Sequence, residues 1–419
     1  MLTGEIMLLS FLLKGFIHEG SLVLLGPRGR KLVFGSGNPC VVVKLHDRRA
    51  LMELALNPDL KVGELYMDGR LTVEAGADIA DFLALLMRNF GWKRPGSLAR
   101  GVRKLFRPLS QFNYVGRARQ NVAHHYDLSA RLYDLFLDSD RQYSCAYFSE
   151  LGESLDEAQI GKKRHIAAKL YLDRPGLKVL DIGSGWGGLA IDLARDSGAN
   201  VLGITLSQEQ LALSRQRALR QSVAERCSFE LEDYRNVEGP FDRIVSVGMF
   251  EHVGVGYYSA FFAKIHELLK EDGVGLLHTI GRSDGAGVTN SWIAKYIFPG
   301  GYTPALSEVL PIIERAGLIV TDVEVLRLHY AETLREWRRR FKLHWDEARV
   351  LYDERFCRMW EFYLAGAEMS FRYDGLVVFQ IQLAKRVDAL PITRDYMLES
   401  ERTMRFAGFE HMPRPSRAA

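Results

Sequence analysis

At 419 residues with nearly half of them apolar, the chain has material for two or three domains and a substantial core. Its formal net charge of +3 is too small to imply a nucleic-acid partner. Four scattered cysteines, Cys40, Cys145, Cys227 and Cys357, form no C-x-x-C or His/Cys grouping, which argues against a metal site and a disulfide scaffold and fits a reducing compartment.

The apolar run Ile6 to Ile17 is short, is interrupted by Lys14 and Gly15, and lacks a basic leader or a small-residue cleavage site. It reads as an amphipathic helix and not as a signal or a span. Residues 1 to 90 form a small α+β module: Leu22 to Leu25 and Lys31 to Phe34 flank a PRGR turn as a hairpin, Cys40 to Leu45 is a further strand, and Asp47 to Asn57 a helix. No residue pattern there points to chemistry. Residues 91 to 120 are a linker carrying eight basic residues (Lys93, Arg94, Arg100, Arg103, Lys104, Arg107, Arg117, Arg119) and no acid. It reads either as a solvated basic linker or as a stretch drawn to anionic lipid headgroups, at about 1 kcal/mol per basic residue near the surface.

From residue 121 to 419, strands and helices alternate as in a parallel sheet with crossover helices. Strands are expected at Lys178 to Ile182, Asn200 to Leu206, Ser228 to Leu231, Asp242 to Val247, Gly275 to Thr279, Ile319 to Val325 and Val377 to Leu383. Helices fall at Leu189 to Asp196, Gln208 to Arg220, Tyr258 to Leu269 and Ser307 to Arg315. The fold class is α/β, a seven-stranded, doubly wound, Rossmann-like domain, and ligands in such sheets sit beyond the carboxyl ends of the strands. Two insertions exceed the minimal fold: an aromatic, Gly-rich stretch from Gly281 to Pro304, and a long helical one from about Glu332 to Ser370. Insertions at that rim commonly cover an active site.

The first of these strands runs into a glycine-rich turn, LKVLDIGSGWGGL (177 to 189), with glycines at 183, 185, 187 and 188. A dinucleotide site wants G-x-G-x-x-G and an acid at the end of the second strand, whereas here the glycines run G-x-G-x-G and that strand ends in Thr205, Leu206 and Ser207. No Lys-Ser or Lys-Thr pair follows, so a P-loop fails as well. What remains is S-adenosylmethionine, with Asp181 beside the cationic end of the ligand. Asp233 is placed to accept from an adenine amino group and Tyr234 to pack on the ring, although a strand-end cap and a core aromatic explain the same two residues.

Further along the strand ends come Glu251, His278 and Tyr330, with Cys145 upstream. Singly, His278 reads as a satisfied strand histidine and Cys145 as a small buried hydrophobe; as a set they suit a small polar species. Many aromatics accompany them: Tyr143, Tyr147, Phe148, Phe250, Tyr257, Tyr258, Trp292, Tyr296, Phe298, Tyr302, Trp337, Trp360, Phe362 and Tyr363. Together they suggest a long apolar pocket whose ring faces can stabilise a cation.

At these residues the chain resembles the cyclopropane-fatty-acid-synthase family of S-adenosylmethionine-dependent methyltransferases, which includes the mycolic acid cyclopropane synthases. The matching segments, in family order, are NVAHHYDLS (121 to 129), LFLDSDRQYSCAYF (135 to 148), VLDIGSGWGG (179 to 188), GITLSQEQ (203 to 210), DRIVSVGMFEHVG (242 to 254), LLHTIG (276 to 281), YIFPGGY (296 to 302), HYAETL (329 to 334) and RMWEFYL (358 to 364). The resemblance implies a methyltransferase domain whose cofactor residues are Tyr143, Ser144, Val179, Asp181, Gly183, Gly185, Gly187, Thr205, Ser207, Gln210, Asp233 and Tyr234. It also implies a bicarbonate or carbonate ion held by Cys145, Glu251, His278, the backbone at Ile280, and Tyr330. Residues 1 to 90 resemble the lipid-binding domain of longer members, which also supports dimerisation.

The implied activity is methylene transfer to the cis double bond of an unsaturated membrane phospholipid, giving a cyclopropane acyl chain. The implied setting is cytoplasmic, in peripheral contact with the inner face of the membrane, as a homodimer with no nucleic acid. One departure from the pattern stands out: some members carry a cysteine after the YL of the late helix, where this chain has Ala367. Chemistry here then cannot require that thiol. Competing readings are the same scaffold leaving a methyl branch or methylene group, a small-molecule O- or N-methyltransferase, and a non-catalytic lipid-binding protein.

Overall fold

The structure is a computed structural model, and it describes residues 16–90, 130–150 and 152–407. Most of the expected amphipathic helix at Ile6 to Ile17, the basic linker 91 to 120 and the segment 121 to 129 lie outside the described residues.

The N-terminal module comprises β1 (Gly20–Leu25), β2 (Lys31–Ser36), β3 (Cys40–Leu45), α1 (Arg48–Leu56), α2 (Pro58–Met67), β4 (Leu71–Glu74) and α3 (Ile79–Phe90). The hairpin is as expected, β1 antiparallel to β2, and the sheet order is β2-β1-β3-β4 with β1 and β3 parallel. Asp47 starts α1 by accepting from the Ala50 N–H at 2.9 Å, one of the amides a helix start leaves without a partner. Val43, Leu45, Leu65 and Leu71 are fully buried, and the same cluster takes in Ala365 and Met369 from a helix far along the chain. The module therefore completes its core only against the second half of the protein.

That second half runs α4 (Ala130–Asp134), α5 (Leu155–Lys169), β5 (Lys178–Ile182), α6 (Gly188–Ser197), β6 (Asn200–Thr205), α7 (Gln208–Arg220), β7 (Cys227–Leu231), β8 (Phe241–Val247), α8 (Tyr258–Leu268), β9 (Leu269–Arg282), α9 (Ser291–Tyr296), α10 (Leu306–Arg315) and β10 (Ile319–Leu326). It continues through α11 (His329–Leu343), α12 (Trp345–Leu351), α13 (Glu354–Tyr373), β11 (Leu376–Ala384) and α14 (Asp395–Ala407). Seven strands form one sheet in the order β10-β11-β9-β8-β5-β6-β7. The expected strands match to within about two residues apart from β9, which starts at Leu269 and not at Gly275.

One strand departs from the parallel pattern: β11 pairs antiparallel with both β9 and β10. The cause is the long helical insertion. It leaves the sheet at Leu326 and returns beside it, with Leu326 opposite Val378, so both of its ends lie at the carboxyl rim and the chain must run back down. Helices α11 to α13 consequently stand over the rim where the ligand site is expected.

The N-terminal module packs on this insertion. Trp292 of α9 fits against Gly63 of α2, where an added Cβ would collide with the indole and come within 2.8 Å of the Phe362 ring. Glu64 accepts from Lys295 Nζ at 2.6 Å and Tyr296 hydroxyl at 2.8 Å. Burial pushes the Glu64 carboxyl up, but Lys295, Lys61 and Tyr296 outweigh it and hold it down at about 2. Asp78, before α3, takes Arg338 of α11 at 2.7 Å.

Gly63→Ala is expected to lower stability by about 1–3 kcal/mol through overpacking, read as a shift of the denaturant midpoint. Gly256→Ala, where an added Cβ meets nothing within 4 Å, is expected to leave that midpoint unchanged or slightly higher.

Candidate active site

The glycine turn forms because β5 is buried on both faces and its chain must reverse at once into α6. Gly183, at φ 82°, is left-handed, and a Cβ there would come within 2.8 Å of Met249. The Gly183 and Ser184 amides both donate to the Ile204 carbonyl, at 3.0 and 2.9 Å, tying the turn to the end of β6. Beyond that strand, Thr205 Oγ1 lies 2.8 Å from Gln210 Oε1, and Ser207 accepts from the Gln210 amide as the cap of α7.

A cavity opens at the carboxyl ends of β5, β6 and β8. Among the expected cofactor residues Tyr143, Ser144, Asp181, Gly183, Gly185, Thr205, Gln210, Asp233 and Tyr234 line it. Val179, Gly187 and Ser207 lie off its wall. Val179 is fully buried in mid-strand, Gly187 packs against Phe229 and Ser214, and Ser207 is occupied in capping. Their part is to shape the turn and start α7. Asp233 has both carboxylate oxygens engaged by the Arg235 guanidinium, at 2.8 and 2.7 Å, and the Tyr234 ring packs edge-on to Phe261 at 5.2 Å.

Sequence reasoning missed Lys162, which also lines the cavity. It is fully buried on α5, and its Nζ donates to Gln142 Oε1 at 2.6 Å and Ser144 Oγ at 2.9 Å. Burial draws its pKa down to about 8, against the pull of Asp138. Helix α5 was not expected from the sequence; the sign that could have found it is its capping box, Ser154 and Glu157, each side chain bonding the other residue's amide. Asp181 faces the cavity with Oδ2 buried and without a partner among the described residues. Burial raises its carboxyl to about 7, while the Lys162 charge pulls it down.

The second set lies next to this cavity and not on its wall. Glu251 Oε1 accepts from the Ile280 amide at 2.6 Å, and its Oε2 is buried with no partner among the described residues. Burial pushes the Glu251 carboxyl up to about 7, with the Ile280 amide opposing. His278 lies two residues before Ile280, on the same face of β9, and burial draws its pKa down to about 3. Cys145 and Tyr330 belong to one core cluster that Ile280 borders. Ala146, next to Cys145, donates to Thr333 Oγ1 at 3.0 Å, one turn along α11 from Tyr330.

The aromatics divide between two clusters. Tyr143 stacks on Trp337 at 5.1 Å, Tyr330 meets Trp337 edge-on at 5.8 Å, and Trp360 meets Tyr363 at 5.2 Å. Trp292, Tyr296, Phe298, Tyr147, Phe148 and Phe362 belong with them. Phe250, Tyr258 and Tyr302 do not join this wall. They belong to a separate core cluster built around α8, whose first residue Tyr258 stacks on Phe250 at 4.2 Å. Tyr257 lines the cofactor cavity.

A sheet of this order, with a glycine turn after its first strand, no acid at the end of the second, and a cavity at the strand ends beside an aromatic cluster, defines a Rossmann-like S-adenosylmethionine-dependent methyltransferase. More narrowly, the chain belongs to the mycolic acid cyclopropane synthetase family, whose model matches residues 115–381. It is 38% identical over 340 residues to tuberculostearic acid methyltransferase UfaA1 of Mycobacterium tuberculosis, covering 77% of this chain and 78% of that one. It is 39% identical over 279 residues to cyclopropane-fatty-acyl-phospholipid synthase of Escherichia coli, covering 66% and 71%. Among solved structures, mycolic acid cyclopropane synthase CmaA1 complexed with SAH and CTAB matches at a TM-score of 0.60 and 35% identity, over 63% of this chain and 97% of that one.

A cationic ligand beside Asp181 favours its ionised form. Affinity for S-adenosylmethionine is therefore expected to be highest above pH 7 and to fall as pH drops through about 7, by at most about tenfold per pH unit. Calorimetric titrations between pH 5.5 and 7.5 check this, with Asp181→Asn weak and flat across the window.

Proposed function

We propose that the protein transfers a methylene group from S-adenosylmethionine to the cis double bond of an unsaturated phospholipid acyl chain, forming a cyclopropane fatty acyl group. The observation that carries the reading is the short segment 143 to 145. Tyr143 and Ser144 line the cofactor cavity, while Cys145 sits in the aromatic cluster with Tyr330 and Trp337. Methyl donor and apolar acceptor would thus meet across two residues of chain. The Escherichia coli relative is named as a cyclopropane-fatty-acyl-phospholipid synthase, in keeping with this acceptor.

An isolated alkene is a poor nucleophile, so the protein must align it with the sulfonium methyl and exclude water. Methyl transfer breaks the S–CH3 bond, with S-adenosylhomocysteine as the leaving group, forms a C–C bond at one alkene carbon and leaves a cation at the other, which nearby ring faces such as those of Tyr143 and Trp337 stabilise. Loss of a proton from the new methyl then closes the ring. A bicarbonate ion, when bound, supplies the base for that proton. The buried and unpartnered Glu251 Oε2 fits such an ion, as does the neighbouring neutral His278. With its carboxyl raised to about 7, Glu251 can hold a proton and donate a hydrogen bond to an anion while Oε1 stays fixed by Ile280.

A second reading, a methyl-branched or methylene product, is favoured by the relative named as a tuberculostearic acid methyltransferase. Labelled S-adenosylmethionine and vesicles of monounsaturated phospholipid separate the two. The expected result is an acyl mass gain of one CH2 with upfield cyclopropane protons by NMR; that mass gain without the upfield protons (a methylene product), or a gain of CH4 when a hydride donor is supplied (a saturated methyl branch), would sink the first reading. Bicarbonate-depleted buffer, and separately Glu251→Gln, should each cut turnover by on the order of a hundredfold; near-normal turnover in both would remove the anion from the mechanism.

No helix among the described residues is long and apolar enough to cross a membrane. Access to the acyl chain is proposed through peripheral docking of the N-terminal module and the basic residues between 93 and 119. Vesicle co-sedimentation should weaken with added salt and with charge reversal at Arg100, Arg103 and Lys104. Equal binding to neutral and anionic vesicles at every salt level would count against it.

A further inference from the structure

His278 cannot be understood from β9 alone. Its cross-strand neighbour on β11 is Gln380, directly opposite it in the antiparallel register. Both are buried, at 2% and 0% exposure, and Gln380 Nε2 lies 3.1 Å from His278 Nδ1. Among the described residues no other side chain hydrogen-bonds this ring. The other end of the Gln380 amide, Oε1, is buried and has no partner among the described residues. A half-satisfied amide in a sheet interior is costly relative to a satisfied one, so packing alone favours an apolar residue here, like Val378 two residues earlier on the same face of the strand.

A neutral imidazole has one N–H, and its neighbours decide which nitrogen carries it. A carboxylate opposite Nδ1 would demand the proton there, whereas an amide N–H leaves Nδ1 as the acceptor and puts the proton on Nε2. We propose that Gln380 is a positioning residue that sets the tautomer of His278, holding Nδ1 as acceptor so that Nε2–H is the donor offered to an anion. The inference rests on the reading of Glu251, His278 and Ile280 as an anion site, and it explains why an amide occupies a place where an acid would invert the donor.

Histidine-selective 15N labelling tests it, with the His278 signals assigned by their loss in His278→Asn. The wild-type protein should show a pyridine-type shift at Nδ1 and a pyrrole-type shift at Nε2. The opposite pattern overturns the proposal whether or not any variant folds. Gln380→Glu should move the proton to Nδ1 and lower kcat by roughly tenfold or more. KM for S-adenosylmethionine should stay unchanged, because Gln380 does not line the cofactor cavity. An inverted tautomer with wild-type kcat would also overturn it. Failure of the anion reading looks different: wild-type turnover would be indifferent to bicarbonate, while the wild-type tautomer and the loss of kcat in Gln380→Glu both persist.

Discussion

The site depends on how segment 138 to 146 is pinned against the glycine turn. Asp140 takes Lys163 of α5 at 2.7 Å and is also paired with Arg217 of α7, while Lys163 reaches Asp192 of α6 at 2.5 Å. The close approach is possible only because Gly188 has no side chain, since a Cβ there would strike Asp140 and Gln142. The Gln159 amide and the Lys162 ammonium then hold the backbone and side chains of Gln142 and Ser144. Removing one member of a buried network of this kind typically costs 3–5 kcal/mol, because the others are left charged and unpaired. Three helices thus spend their polar groups on one strip of chain, whose next residues serve both halves of the site.

The same burial sets the chemistry. Asp181 and Glu251 are both raised to about 7, His278 is held neutral, and Lys162 is drawn down to about 8. In all four, burial is the largest cause and acts against the charged form, which marks a region with little water. Such a region suits a reaction that passes through a cation on a hydrocarbon chain, since water would capture that cation. The N-terminal module contributes to this enclosure indirectly. It holds α9 through Gly63 and Glu64, and α13 through the shared apolar cluster with Ala365 and Met369.

Much of the fold was legible because its strands are short apolar runs ending in turn residues, and the order of strands follows from the crossover helices between them. What escaped was set by tertiary contact. The antiparallel run of β11 depends on where the helical insertion ends, which no local pattern records. Helix α5 was obscured because Lys162, Lys163, His165 and Lys169 are all buried on it, so it lacks the apolar stripe that periodicity detects. Its capping box was the one readable sign. In the site, Asp181 and the residues after β6 could be placed from strand ends alone. Gln380 could not, because its meaning comes from standing opposite His278. The division of the aromatics was likewise invisible, since Phe250 and Tyr258 differ from Tyr143 and Trp337 only in which core cluster they join.

Ala367 bears on which group removes the proton. It packs against the aromatic cluster on α13, so the cysteine that the sequence resemblance sets at this position in some members is not there. Burial pushes the Cys145 thiol up well beyond its ordinary range, and it raises Cys227 and Cys357 to about 12. Cys357 lies on the same helix, with its sulfur 3.9 Å from the Trp345 carbonyl, and Cys227 is buried under the far edge of the sheet. Cys40, the remaining cysteine, opens β3 in the N-terminal module. A thiol held so far above neutral pH is almost wholly protonated and can neither attack nor act as a base. In the proposed reaction the proton that leaves the new methyl group would therefore pass to something other than sulfur, in keeping with the proposal that the polar groups around Glu251 and His278 hold its acceptor.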